Sequence, residues 1–429
     1  MNVLVIGSGG REHALAWKIG KSPRVEKVYV APGNAGTAID AENVPIAEND
    51  FPELIKFCKK NGVSLVVVGP EAPLSLGAVD AFEAAGIPAF GPNKKAARIE
   101  GSKVFCKEVL NKALVPTARA SVFDNAQDAY DFIDESDEGG FVIKADGLAA
   151  GKGVIVAGSK EEARQGVKVI AEDRAFGEAG AKFLIEERLV GQEASVLAIT
   201  DGHTIVPLQP AQDHKAAYDG DRGPNTGGMG AYCPASLVDD QKMTWIEERV
   251  LLPTVVALNH LETPFKGVLY AGLMMAPQGP RVLEYNARFG DPECQPLLFR
   301  LKTDLVDVIE ATVKQKLVQI DPLEWDARPA VCVVMASEGY PGSYEKGFPI
   351  KGLEEAAKLP DVKVFHAGTK LVNGNVFTNG GRVLDVVALG DTVADAKRKA
   401  YEAVAKISWK GSWYRTDVAD KEIMAVQNK

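Results

Sequence analysis

The sequence predicts an α/β protein: an N-terminal open parallel sheet, a small middle lobe with a glycine-rich hairpin, a larger lobe and a C-terminal α+β unit. Three observations lead there. Short apolar runs alternate with helical stretches over the first hundred residues. Two β-branched runs in "FVIKADGLAAGKGVIVA" (141–157) flank a loop with three glycines and two lysines. The chain of 429 residues is too long for one core and asks for about three domains at roughly 100–200 residues each.

"NVLVIG", "KVYVAPG", "SLVVVGP" and "IPAFGP" have the pattern of strands, and residues 12–20, 52–61 and 76–86 suit helices. Such alternation makes a parallel sheet with crossover helices, and we place this unit at 1–101. Ser102 is positioned to N-cap a helix that ends by Pro116. A strand near 119, a helix from 126, the hairpin, a helix from 161 and the strand "KFLIEERL" make the small lobe, 102–192. The strands "ASVLAITDG", "GVLYAGLMMA" and "RVLEYNARF" around a long helix near 239–260 make the large lobe, 193–326. The last unit, 327–429, has strands "AVCVVMAS" and "GRVLDVVALG". Its closing helix carries Val393, Ala396, Ala400 and Val404 at helical spacing, with Asp391 as its cap.

Bulk properties exclude several classes. A net charge of −9 argues against a nucleic-acid surface. The five cysteines (58, 106, 233, 294, 332) are scattered, odd in number and without C-x-x-C, the pattern of free thiols in a reducing compartment. The five histidines (13, 203, 214, 260, 366) never fall at H-x-x-x-H spacing. No apolar stretch approaches the roughly 18 residues of a membrane span, and "MNVLVIGSGG" reads as a first strand rather than a signal peptide. The expectation is a cytoplasmic protein with no nucleic-acid or membrane partner.

The hairpin is the first candidate site. Gly147, Gly151 and Gly153 let backbone N–H groups approach an anion, and Lys144 and Lys152 add positive charge. A Walker loop is excluded: Asp146 stands where its first glycine belongs, Gly153 follows Lys152, and a strand follows instead of a helix. The segment is a flap over phosphates or an ordinary surface hairpin. The turn "GSGGREHA" (7–14) sits where a dinucleotide fingerprint would, but Glu12 replaces the third glycine and no acidic residue ends the second strand. Gly9, Gly10 and Arg11 suit a single phosphate at a helix N-terminus, or a tight turn with Arg11 in solvent. "GPEAPL" ends a strand and brings Glu71 to the ligand edge of the sheet.

"FLIEERLVGQEASV" puts Glu186, Glu187 and Glu193 around a strand break at Gly191. Unpaired backbone there can read an adenine edge, with a carboxylate for ribose hydroxyls; an exposed acidic hairpin is the alternative. In "VLEYNARFGDPE", Glu284, Asn286 and Arg288 share one strand face. A carboxylate and an amide oxygen are hard ligands for Mg2+, which completes its octahedron with phosphate oxygens and water; a solvent-facing polar strand is the other reading. "QDHKAAYDGDRGPNTGGMGAY" (212–232) is a polar loop with Asp213, Lys215, Asn225 and Thr226, long enough to have a function.

Taken together, "VLVIGSGGREHALAWK", "VVVGPEAPL", "EGSKVFCKEVL", "VIKADGLAAGKGVIVA", "IEERLVGQEAS", "QDHK", "GPNTGGMGAY", "RFGDPECQPL", "HAGTK" and "NGGRVL" resemble the ATP-grasp superfamily and, within it, the phosphoribosylamine–glycine ligases, over essentially the whole chain. The resemblance implies an N-terminal sheet of the type that precedes an ATP-grasp fold. It implies ATP and Mg2+ (or Mn2+) as cofactors, and glycine and 5-phosphoribosylamine as substrates. By resemblance Lys103 and Lys144 meet the nucleotide phosphates, with Lys107 one turn away as a competitor. The flap is 146–153, with Gly151, Lys152 and Gly153. The adenine is read by Glu186, the Glu187 backbone and Leu189, and the ribose is held by Glu193. Glu284 and Asn286 match the metal ligands. Arg288 suits the glycine carboxylate, and Asp213 or Asp291 its ammonium. The substrate set is Gly9, Gly10, Arg11, Glu71, Asp213, Lys215, Asn225, Thr226, Arg288 and Asp291, and Lys144, Arg288 and Asp213 are the catalytic candidates. A monomer is favoured. Rival readings are another ATP-grasp ligase or carboxylase, a nicotinamide-dependent oxidoreductase, and a non-catalytic nucleotide-binding module.

Overall fold

The computed structural model describes residues 1–137, 139–147, 153–175 and 177–427. The N-terminal domain is a five-stranded parallel sheet in the order Glu42–Asn43, Lys27–Pro32, Asn2–Gly7, Val63–Val68, Ala89–Phe90. Val3, Leu4, Val5 and Ile6 are all fully buried, as expected of a parallel strand covered on both faces. The strand order reverses beside Asn2–Gly7, and ligands of such sheets bind at that point, outside the carboxyl ends of the strands. The expected helix at 76–86 is two helices, Glu71–Leu76 and Ala78–Ala84. Gly77 breaks it with a φ of +95°, a conformation that only glycine adopts freely.

The small lobe is an antiparallel sheet in the order Ala120–Phe123, Phe183–Glu187, Phe141–Ala145, Val154–Ala157. The hairpin strands pair as expected; residues 148–152 of its loop lie outside the described residues. Helices Ala126–Glu135 and Lys160–Val167 cover one face, where Ile133, Ala163 and Val167 meet Phe141, Ile143, Phe183 and Ile185. The alternate positions, Lys144 and Glu186 among them, point to the opposite face.

The large lobe has strands Ile205–Pro207, Gln192–Thr200, Gly267–Ala276 and Gly279–Asn286, all antiparallel. The expected long helix runs from Asp240 to Ile246, widens into a π turn at Glu247–Leu251 and continues as Leu252–His260. Pro253 lacks the N–H that a regular turn requires, and the widened turn immediately before it accommodates that loss. The pairing of the last two strands slips between Gly272 and Leu273, leaving Leu283 without an opposite residue. This bulge lets Val282 and Tyr285, three residues apart, enter the same core, while Glu284 and Asn286 keep the other face.

The last sheet runs Gln212–Asp213, Gly230–Cys233, Ala330–Ser337, Arg382–Leu389, Val362–His366, with Ser412–Trp413 paired to the end of Ala330–Ser337. The polar segment 212–232 is therefore not an open loop. Its ends are strands of this sheet, and between them Ala216–Tyr218 pairs with Arg222–Asn225. Its few apolar side chains anchor it, for Ala217, Met229 and Tyr232 are buried. The closing helix Val393–Val404 is capped by Thr392, not Asp391. The Thr392 hydroxyl accepts from the Asp395 N–H at 3.1 Å, while the Asp391 N–H donates to the Asp395 carboxylate.

The first and last domains meet at buried histidines. His13 Nδ1 accepts the His366 backbone N–H at 2.8 Å, so Nε2 carries the proton it gives to Asp40 at 2.9 Å. Lys363 shares Asp40 at 2.6 Å. Burial, with His13 and Lys363 adding to it, pushes the His366 pKa down to about 3, whereas in the unfolded chain it is about 6.5. Below about pH 6.5 the unfolded chain takes a proton that the folded chain refuses, so stability present above that pH is lost as pH falls. We expect the urea midpoint to fall between about pH 7 and about pH 5, and His366→Gln to flatten part of that fall. An identical slope in the variant would contradict the assignment.

Candidate active site

The reversal point of the N-terminal sheet, the free face of the small lobe and the strand Gly279–Asn286 converge on one cleft of about 550 Å3. Of the expected site residues it is lined by Arg11, Glu71, Lys103, Lys144, Gly153, Glu186, Asp213, Lys215, Asn225, Thr226, Glu284, Asn286, Arg288 and Asp291. Gly151 and Lys152 lie outside the described residues.

The back of the cleft is a buried ion cluster. Glu186, 3% exposed, holds Lys144 at 2.9 Å and Lys107 at 3.1 Å on its two oxygens. Burial opposes the Lys144 charge, but Glu186 and Glu284 outweigh it and hold its pKa above the usual value. The bulged Leu283 carbonyl accepts from Lys144 Nζ at 3.0 Å. Lys107 is further engaged by Thr117 Oγ1 (2.6 Å) and the Ala118 carbonyl (2.9 Å). Lys103 instead donates to the Gly147 carbonyl at the base of the flap, 2.8 Å. Asp146 pins that base by accepting from Ser102 Oγ (2.9 Å) and the Val104 N–H (3.1 Å). Ser102 is the N-cap the sequence indicates, accepting from Phe105 N–H.

Among the described residues Glu284 has no hydrogen bond and no ion pair. Burial would raise its pKa, but Lys215, Lys144, Lys103 and Arg288 surround it and lower it. The neighbouring Asn286 Oδ1 accepts from Arg288 Nη2 at 3.3 Å. Arg288 is itself tied across the domain boundary, to Glu100 at 2.8 Å and to Glu71 at 3.3 Å. No group of three or more His, Cys, Asp or Glu among the described residues is placed to hold a metal. Glu284 and Asn286 fit an ion that takes few protein ligands and fills the rest from phosphate and water.

Across the cleft, Asp213 follows Gln212 on the strand that borrows its register from the C-terminal sheet. Lys215 pairs with Glu193 at 2.7 Å. Glu293, 3% exposed, accepts from Tyr270 and from Ser195 (3.1 Å), and those two hydroxyls are 2.8 Å apart. Thr226 Oγ1 donates to the Lys215 carbonyl at 2.9 Å.

At the N-terminal turn the structure explains the missing third glycine. The Glu12 carboxylate accepts from the Gly9 N–H (2.6 Å) and from Arg11 Nε (2.5 Å). A Cβ on Gly7 or Gly69 would strike it at 2.5 or 2.2 Å. The protein's own carboxylate thus occupies the anion seat that a dinucleotide pyrophosphate would need. Gly10 lies against Asp385, where an added Cβ would stand 1.7 Å from Oδ2. Gly9 and Gly10 do not line the cleft. Arg382, from the C-terminal domain, donates to the Asp291 and Gly227 carbonyls at 2.6 and 2.7 Å and so ties both loops to the cleft rim.

At the hinge, Glu187 is engaged by Arg119 and Arg281, and its N–H by the Arg119 carbonyl. The Leu189 backbone has no partner among the described residues. Glu100, Tyr270 and Ser195 were not legible as site residues. Tyr270 is an aromatic in an apolar strand, and only its register opposite Asn286 brings it to the cleft.

Comparison with known proteins agrees with this geometry. Residues 1–100 match the model of the phosphoribosylglycinamide synthetase N domain, 101–294 that of its ATP-grasp (A) domain and 330–421 that of its C domain. The chain is 58% identical over 428 residues to the phosphoribosylamine–glycine ligase of Rhodopirellula baltica, covering 99% of this chain and 98% of that one. It is 51% identical to the trifunctional purine biosynthetic protein adenosine-3 of Gallus gallus, covering 98% of this chain and 42% of that one. The crystal structure of phosphoribosylamine–glycine ligase from Thermotoga maritima superposes with a TM-score of 0.85 at 36% identity, covering 98% of this chain and 100% of that one. The biotin carboxylase domain of Hydrogenobacter thermophilus 2-oxoglutarate carboxylase, in complex with MgADP and bicarbonate, shares the fold at a TM-score of 0.73 and 14% identity, covering 98% of this chain and 97% of that one.

Glu186→Gln leaves two buried ammonium groups without their shared counter-charge. Breaking such a buried pair from one side costs about 3 kcal/mol, and we expect a loss of that order in the unfolding free energy from urea titration. An unchanged midpoint would show that Glu186 does not hold the cluster together.

Proposed function

Because the chain belongs to the phosphoribosylglycinamide synthetase family, ATP-grasp ligases that join glycine to phosphoribosylamine in purine biosynthesis, we propose that it makes this bond through a glycyl phosphate, with ADP and phosphate as the other products. The observation that carries the reading is Glu284, a carboxylate without a partner among the described residues and ringed by Lys103, Lys144, Lys215 and Arg288. The cleft walls carry seven cationic side chains and seven carboxylates, so the charge of an incoming triphosphate needs a further counter-ion. Glu284 and Asn286 would hold Mg2+, or Mn2+, which supplies that charge and polarises the transferring phosphoryl group.

The chain's own residues do the rest. A carboxylate is a poor acyl donor, and phosphorylating glycine gives it a good leaving group. Lys144 and Lys103 sit where they can steady the phosphates; Lys107, deeper and held by Thr117 and Ala118, backs Glu186 instead. Leu189, whose backbone has no partner among the described residues, offers it to the adenine edge, and Glu193 offers a carboxylate to the ribose. Arg288 meets the glycine carboxylate by releasing Glu71, the longer of its two ion pairs. Asp291 suits the glycine ammonium: burial opposes its charge, but Arg382 and Arg11 keep it ionised. Arg11, Asn225 and Thr226 remain for the sugar phosphate. The domain boundaries at 101, 192 and 326 are part of this reading.

If glycyl phosphate forms, one carboxylate oxygen of glycine leaves with the phosphate. Glycine labelled with heavy oxygen is expected to deliver one label per turnover into inorganic phosphate, read by the isotope shift in phosphorus NMR. Unlabelled phosphate would overturn the intermediate. Separately, Glu284→Ala is expected to abolish metal-dependent turnover with little change in thermal midpoint, because this carboxylate has no partner among the described residues; retained turnover at the same metal concentration would remove Glu284 from the metal site.

A further inference from the structure

Three carboxylates stand together, Asp213 with Glu193 and Glu293 for neighbours, and two of them are engaged. Glu193 is paired with Lys215 at 2.7 Å. Glu293 is buried and accepts from Tyr270 and Ser195. The third, Asp213, is half-buried at the cleft surface and accepts no hydrogen bond from another described residue. We propose that Asp213 accepts the proton lost by the attacking amine, and that Glu293, pinned by Tyr270 and Ser195, is the positioning residue that keeps a fixed anion beside it. This rests on the ligase reading above.

Amide formation requires such a group. The amine lone pair bonds to the acyl carbon, the bond from that carbon to the phosphate oxygen breaks, and the phosphate leaves with its electron pair. The nitrogen then holds one proton too many, and it passes to the Asp213 carboxylate and on to water or the departing phosphate. No electron is gained or lost overall. A base works best when its pKa lies near the operating pH. Burial, with Glu293 and Glu193 adding to it against Lys215, raises the Asp213 pKa to about 7. Asp291, held ionised by arginines, is the contrasting case, and a pair of carboxylates driven apart in this way marks a division of roles. Glu293 is buried at the cleft lining, and its carboxylate is already taken by Tyr270 and Ser195. A less engaged Glu293 would be free to swing away, and Asp213 would lose the neighbour that makes it basic.

Two variants test this. Asp213→Asn keeps the shape and removes the base. Turnover with phosphoribosylamine is expected to fall about 100-fold. Trapping of the acyl phosphate by hydroxylamine, a nucleophile that needs no base, is expected to persist, read as glycine hydroxamate formed from ATP and glycine. Loss of both would place Asp213 in glycine binding and overturn the proposal, as would full turnover of phosphoribosylamine. Glu293→Gln keeps an acceptor for Tyr270 and Ser195. The kcat of the parent protein is expected to rise through about pH 7, and that of this variant to rise at lower pH because the adjacent anion is gone. A lower kcat with an unmoved profile would reduce Glu293 to a structural part and overturn its assignment. Failure of the parent protein to form hydroxamate from glycine would count instead against the ligase reading itself.

Discussion

Charge balance inside one cleft is the constraint on which the rest of the structure depends. Buried ammonium and guanidinium groups are costly unless paired, yet a site for phosphates needs some of them unpaired. The protein divides them. Lys107 is neutralised by Glu186, and Arg11 by Glu12. Lys144 is shared between Glu186 and the cleft, and Lys103 is held only by a carbonyl. The cations that remain available face Glu284, the one carboxylate of that wall left without a partner among the described residues.

That division explains the tertiary arrangement. Several contacts at the cleft rim join one domain to another. Arg288 belongs to the large lobe, while Glu71 and Glu100 come from the first hundred residues. Arg382 comes from the last domain and grips loops of the lobe before it. Segment 212–233 leaves the large lobe to donate strands to the C-terminal sheet, carrying Asp213 and Lys215 to the cleft as it goes. The histidine contact then joins the first domain to the last, beside the N-terminal turn through Asn34.

Much of this was legible in the sequence. The parallel sheet, the hairpin strands, the Ser102 cap and the shared face of Glu284 and Asn286 follow from periods of two and from capping chemistry, which are local. What was not legible depends on distant pairing. The helix at 76–86 is broken by a single glycine. The segment 212–232 looks like a loop because its strands are only two to four residues long, and the last of them finds its outer partner a hundred residues away. Glu12 read only as a defect in a fingerprint, whereas in space it fills the seat that the fingerprint would have kept open. At Glu187 the expectation concerned the backbone, and the structure adds what the sequence does not show: its carboxylate is engaged by Arg119 and Arg281, remote in sequence.

The bulge at Leu283 bears on how this strand can change length. Side chains alternate faces along a strand, so removing one residue beyond a fixed point exchanges inside for outside. Here the slip has already been made once, between Val282 in the core and Glu284 in the cleft. A one-residue deletion at 283 would restore a regular ladder with Val282 still opposite Leu273 and Glu284 still opposite Gly272, but it would remove the carbonyl that accepts from Lys144. A one-residue insertion nearer the turn at 277–279 would leave the site untouched, since the bulge isolates it from the hairpin end. The residue at the irregularity therefore serves through its backbone, and a strand shortened there would keep its cleft face while losing an anchor for Lys144.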